Sequence, residues 1–81
     1  MRVRVKLFAQ LRDRASVDET VCDVREGATV DDVWQSLCAT YPMLAPFASS
    51  VSCAINAEYA KRRSRVEDGD EVAFLPPVSG G

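Results

Sequence analysis

The chain has 81 residues, ten Lys or Arg against twelve Asp or Glu, and a net charge of −2 at neutral pH. A chain this short makes one small domain that buries about 60% of its unfolded surface, so its core is marginal and a partner can add stability. The charge balance argues against nucleic acid and anionic membrane as partners, and the absence of histidine removes the commonest general base and metal ligand together.

Arg2 to Phe8 alternates with a period of two: Val3, Val5 and Leu7 form a core face, while Arg2, Arg4, Lys6 and Phe8 share the other. Phe8 is the anomaly, an aromatic on the charged face. Ala9 to Ala15 reads as a short helical or turn segment, with Leu11 and Ala15 one turn apart. A second strand spans Glu19 to Val24, with Thr20, Cys22 and Val24 on one face, and pairs with the first as an antiparallel hairpin. Gly27 breaks the run. The main helix follows, with Thr29 as N-cap and Asp31 and Asp32 in the first turn, where negative charge suits the helix dipole. Val30, Val33, Trp34, Leu37, Cys38 and Tyr41 recur at helical spacing as its buried stripe, and Pro42 ends it.

Met43 to Ser50 reads as a loop. Val51, Cys53, Ile55 and Ala57 then alternate with Ser52, Ala54 and Asn56 as a third strand, followed by a turn at Asn56-Ala57-Glu58 and a short return strand at Tyr59-Ala60. Lys61-Arg62-Arg63-Ser64-Arg65 reads as a solvated basic loop rather than a site for an acidic or phosphate partner. Glu67 to Asp70 is a turn, and the final strand buries Val72 and Phe74 while Ala73 and Leu75 face out. One main helix on a mixed sheet of four to five strands is an α+β arrangement, in which the connection through the helix makes a later strand parallel to the first. Phe8, Ala73, Leu75 and Tyr59 then gather on the uncovered sheet face, and such grouped apolar residues mark a partner site.

The three cysteines, Cys22, Cys38 and Cys53, sit inside apolar segments at spacings that match no zinc or redox motif, so they read as reduced core thiols. The opening alternates instead of forming a signal-peptide core, and no apolar run approaches ~18 residues. The expected location is the cytoplasm. No phosphate-binding, dinucleotide-binding or nucleophile-elbow motif occurs, and no metal site is expected. Any chemistry is expected to use something other than the side chains.

The segment after Leu75 is the candidate for it. Pro76 and Pro77 cannot donate ladder hydrogen bonds, so they end the strand and favour an extended exit. Residues 76–81 could reach roughly 20 Å. Gly80 and Gly81 carry no Cβ and fit a slot too narrow for other residues. The boundaries are thus a domain at 1–75 and a tail at 76–81. The tail reads either as a flexible arm that offers the Gly81 carboxylate to another protein's active site or as a frayed terminus.

Val3-x-Val5-x-Leu7-Phe8-Ala9-Gln10-Leu11-Arg12, Asp68-Gly69-Asp70-Glu71-Val72-Ala73-Phe74 and Pro76-Pro77-Val78-Ser79-Gly80-Gly81 together resemble the small, sulfur-carrying subunit of molybdopterin synthase, a ubiquitin-like β-grasp family. The similarity covers essentially the whole chain, and the closing motif is its specific part. The resemblance implies a subunit that is not catalytic by itself and binds no cofactor. An adenylating enzyme related to ubiquitin E1 consumes ATP to activate Gly81. Sulfur then replaces the adenylate as a C-terminal thiocarboxylate, and the tail delivers it to a pterin precursor in the large subunit, building the dithiolene of molybdopterin. It implies further that Phe8, Tyr59 and Leu75 dock the large subunit and the activating enzyme, that Pro76, Pro77, Val78 and Ser79 thread the tail, and that the assembly is a heterotetramer. Tyr59 departs from the aliphatic residue expected at its position. The other readings are a ubiquitin-like modifier conjugated through Gly81, a thiamine-type sulfur carrier, and a β-grasp binding module with an inert tail.

Overall fold

The computed structural model describes residues 1–77. In chain order the elements are β1 (Arg2–Leu7), α1 (Ala9–Ala15), β2 (Glu19–Asp23), α2 (Val30–Thr40), a 3-10 helix (Pro42–Phe47), β3 (Ser52–Ile55), β4 (Glu58–Ala60) and β5 (Glu71–Leu75). The five strands form one mixed sheet in the order β2-β1-β5-β3-β4. β1 pairs antiparallel with β2 and parallel with β5, as the crossover through the helix requires. β3 is antiparallel to both β5 and β4.

The period of two in β1 decides which face is covered. Val3, Val5 and Leu7 are buried, as are Val72 and Phe74 of β5, and all lie in the cluster that receives Val30, Val33, Trp34 and Leu37 of α2. Trp34 and Phe74 stack at 4.9 Å between ring centroids, tilted by 60°. Each such fully buried large side chain stabilises the fold by about 1.5–3 kcal/mol relative to exposure. α2 starts where expected. Thr29 Oγ1 accepts the backbone N–H of Asp32 at 3.3 Å, and the Asp32 carboxylate accepts that of Thr29 at 2.9 Å, a reciprocal capping box. The N–H of Tyr41 still reaches Leu37 O at 2.8 Å before Pro42 stops the helix.

Several expectations are corrected. The segment expected as a loop from Met43 to Ser50 contains a 3-10 helix, because Pro42 suits its first turn and Leu44 is apolar enough to be fully buried. The third strand stops at Ile55. Asn56 and Ala57 both have positive φ, 49° and 70°, so they form a two-residue hairpin turn and the return strand starts at Glu58. Ala54, on the face opposite Cys53 and Ile55, is still only 8% exposed, with Ala73 and Tyr59 as its register partners. Cys22 and Cys53 are core residues, whereas Cys38 is half-buried. Val24 falls just outside β2, although its N–H still bonds Met1 O at 2.9 Å.

The basic loop also departs from its expected solvation. Arg62 is half-buried and donates to Asp31 Oδ1 from Nη2 at 2.9 Å and Nε at 3.2 Å. It also donates to the Ala48 carbonyl and lies 5.7 Å over the Trp34 ring. Spacing along the chain could not separate this arginine from its neighbours, because what distinguishes it is the position of α2 beneath it.

Candidate functional site

The sheet face away from α2 is built from alternate residues of adjoining strands. Register places Lys6 against Ala73, Ala73 against Ala54, and Ala54 against Tyr59, so these four form one row across β1, β5, β3 and β4. Two alanines make a low apolar floor. Tyr59, 83% exposed, stands at one end, and Lys6 at the other carries an ion pair to Glu71 at 2.8 Å. Leu75, paired with Ser52, is half-buried one position farther along. An exposed tyrosine beside small residues gives a partner side chain a wall and a floor in one place.

β1 and β5 run parallel, so they leave the sheet at the same end. Leu7 pairs with Phe74, which places the next residues of the two strands, Phe8 and Leu75, one step beyond a shared row. Phe8 is the N-cap of α1, in extended conformation at φ −123°, ψ 152°, and is 41% exposed. Its predicted membership of the charged strand face is therefore refined: it projects at the strand's end, where Ala9 turns the chain with a positive φ of 50°. A groove of about 230 Å³ beside it is lined by Lys6, Leu7, Phe8, Arg12, Asp18 and Glu19. Pro76 is half-buried and Pro77 exposed, continuing from Leu75. The structure thus brings Phe8, Leu75, Pro76 and Pro77 to one end of the sheet, with Tyr59 two strands away from β5. Val78, Ser79, Gly80 and Gly81, which the sequence reading placed at the centre of the chemistry, lie outside the described residues.

The described side chains offer little covalent chemistry. Burial pushes the thiols of Cys22, Cys38 and Cys53 above their ordinary pKa, so they remain protonated and weakly nucleophilic at neutral pH. Among the described residues no three His, Cys, Asp or Glu side chains come together as a metal site. Two contributors to the face escaped the sequence reading. One is the Lys6–Glu71 pair, although both residues belonged to the outward-facing set. The other is Val21, 50% exposed and opposite Arg4 on β2. Its place on the face follows from the hairpin register, which two short strands do not settle without their turn.

Known proteins resemble this chain along its whole length. The profile of the ThiS family matches residues 5–81. The molybdopterin synthase sulfur carrier subunit of Chlamydomonas reinhardtii is 35% identical over 83 residues, covering all of both chains. The molybdopterin synthase sulfur carrier subunit of Mycobacterium tuberculosis is 34% identical over 84 residues, covering 100% of this chain and 99% of its own. The crystal structure of SAMP1, a small archaeal modifier protein of Haloferax volcanii, superimposes with a TM-score of 0.90 at 31% identity, covering 100% of each chain. The expected ubiquitin-like arrangement is therefore the one adopted, and the chain belongs to the ThiS family.

Proposed function

We propose that the protein is a sulfur carrier for molybdenum cofactor biosynthesis, in which Gly81 is the working residue and the folded domain is the handle. The observation that carries this reading is the common exit of β1 and β5: Phe8, Leu75 and Pro76-Pro77 lie together at the point where the tail departs. A partner that grips the domain there holds the origin of the tail, so residues 76–81 are delivered in one direction. The relatives named as molybdopterin synthase sulfur carrier subunits support it, as does the absence of histidine from the chain.

In this mechanism an E1-like enzyme adenylates the Gly81 carboxylate with ATP, releasing pyrophosphate. The charge that repels nucleophiles is thereby removed and AMP becomes the leaving group. Sulfur at the sulfide level attacks the acyl carbon, AMP departs and a thiocarboxylate is left, whose ionised, polarizable sulfur attacks more readily than a protonated thiol. The large synthase subunit then receives the tail and presents the pterin precursor, supplying the acid, base and phosphate-binding groups. Phe8, Tyr59 and Leu75 dock both partners, while Pro76 to Ser79 span the distance to the active site. Gly80 and Gly81 pass the narrowest part because they have no Cβ.

The test is the intact mass of the protein after incubation with an activating enzyme, ATP and a sulfur source. A gain equal to one oxygen exchanged for sulfur, located on the Gly81 fragment, is expected. A second reading, a protein modifier joined through Gly81 to lysines, has the similarity to SAMP1 in its favour. ATP consumption without sulfur gain, accompanied by adducts on the lysines of other proteins, would transfer the conclusion to that reading.

A further inference from the structure

Five cations of the described residues form ion pairs with carboxylates: Arg2, Lys6, Arg12, Arg25 and Arg62. Of the cations without such a carboxylate among the described residues, Lys61, Arg63 and Arg65 stand together in one loop, all exposed. In a chain of net charge −2 these three leave a remainder five units negative, so they form a local cluster of positive charge on an otherwise acidic molecule.

The loop is firmly held. Burial alternates along it, with Arg62 and Ser64 half-buried and Val66 only 2% exposed. The carbonyls of Arg62 and Ser64 accept the N–H groups of Asp31 and Val30 at 2.8 and 2.9 Å, which occupies the N-terminus of α2. The N–H of Val66 bonds Ala28 O at 3.0 Å, and Arg62 clamps Asp31. Three like charges are thereby held outward on a pinned backbone, where they repel one another. A mobile loop would let them separate.

Register gives the loop a location. Leu7, Phe74, Cys53 and Ala60 form one row across β1, β5, β3 and β4, and β4 runs in the same direction as β1 and β5. Lys61 therefore leaves the sheet at the same end as Phe8 and Leu75. Two strand spacings separate it from Leu75, about 10 Å. That is about one Debye length at 0.1 M salt.

We propose that Lys61, Arg63 and Arg65 form an electrostatic docking strip, beginning with Lys61 at the tail-exit end of the sheet and running toward the Thr29–Arg65 bridge at the N-terminus of α2, for an acidic surface of the protein that receives the tail. This rests on the carrier reading above and adds the chemistry of the partner's surface. The strip brings the two proteins together before the apolar contacts at Phe8 and Leu75 close, because exposed charge complementarity acts chiefly on the rate of encounter. A protein surface is favoured over nucleic acid, since the remainder of the chain is acidic and a duplex binder making about six to ten phosphate contacts uses two to three times what this strip offers.

The experiment compares three proteins binding a large synthase subunit at low and moderate salt by stopped-flow or surface-based kinetics. They are the full chain, its Lys61→Glu/Arg63→Glu/Arg65→Glu form and Phe8→Asp. Charge reversal is expected to lower the association rate constant about tenfold or more at low ionic strength, with the difference shrinking as salt rises and dissociation changing less than about twofold. The neutral Lys61→Gln/Arg63→Gln/Arg65→Gln form should fall between, and circular dichroism checks that both variants fold. An unchanged association rate with Phe8→Asp still impaired would overturn the strip and leave the carrier reading standing. No binding by the unaltered chain would count against the carrier reading itself. Salt-sensitive binding of a 20-base-pair duplex, lost on reversal, would reassign the strip to nucleic acid and overturn the proposal.

Discussion

Asn56 Oδ1 accepts the backbone N–H of Glu71 at 3.0 Å, while its Nδ2 donates to Asp70 Oδ1, also at 3.0 Å. One turn side chain thus ties the β3–β4 hairpin to the start of β5, the strand that leads to the tail. The neighbouring residue is less well suited. Ala57 has φ 70°, a conformation in which its Cβ is a steric cost that glycine avoids. Ala57→Gly relieves that strain but loosens the unfolded chain, with the first effect winning in a turn that needs two positive φ values. The expected gain is about 0.5–1 kcal/mol, read as a higher urea midpoint at unchanged m-value. Replacing Asn56 by alanine should move the midpoint the other way.

Arg62 and its neighbour Arg63 separate structural from exposed charge. Arg62→Ala removes two bonds to Asp31, one to Ala48 and the contact over Trp34. Because the pair is partly solvated, at 31% and 47% side-chain exposure, the expected loss is about 1–2 kcal/mol rather than the full cost of breaking a buried pair. Arg63→Ala should stay within about 0.5 kcal/mol of the original protein. Equal losses in chemical denaturation would show that the loop does not discriminate between them.

Acid sensitivity follows from two carboxylates. The Thr29 backbone N–H holds Asp32 below the usual carboxylate range, and the hydrogen bond from Lys6 does the same for Glu71. A lowered folded-state pKa contributes stability that is present above the unfolded value, near ~4, and is lost as pH falls through the folded value. Lys6 shifts upward through the same Glu71 bond, so its contribution is present below ~10.4 and lost as pH rises through its folded value. Melting temperature should therefore be level through neutral pH and fall below pH ~4, with a shallower acid fall in Asp32→Asn.

Phe8→Asp should weaken binding to the large subunit by more than about tenfold in calorimetry while leaving the melting temperature within a few degrees, as expected for an exposed aromatic anchor. A large drop in melting temperature instead would make Phe8 a core residue.

Deleting Gly81 should abolish the sulfur gain in the mass measurement and leave the thermal melt unchanged, since among the described residues the buried cluster ends with Phe74. Retained sulfur gain would show that the carrier atom lies elsewhere in the chain.

Local chemistry wrote much of this protein directly into its sequence. The alternation of Val3, Val5 and Leu7, the Thr29–Asp32 capping box, the helical stripe through Trp34 and Leu37 and the stop at Pro42 each depend on residues within a few positions of one another. Such patterns survive without knowledge of the fold. The diglycine motif at Gly80-Gly81, with Pro-Pro before it, was legible for the same reason. Tertiary structure decided what depends on residues distant in sequence. The 2.9 Å bond of Arg62 to Asp31 spans 31 positions, and the shelter of Ala54 depends on β5 as well as on its hairpin partner. The meeting of Phe8, Leu75 and Lys61 at one end of the sheet comes from strand direction and register across four strands. Periodicity reports which residues share a face of one element; only the pairing of elements determines which faces and ends become neighbours.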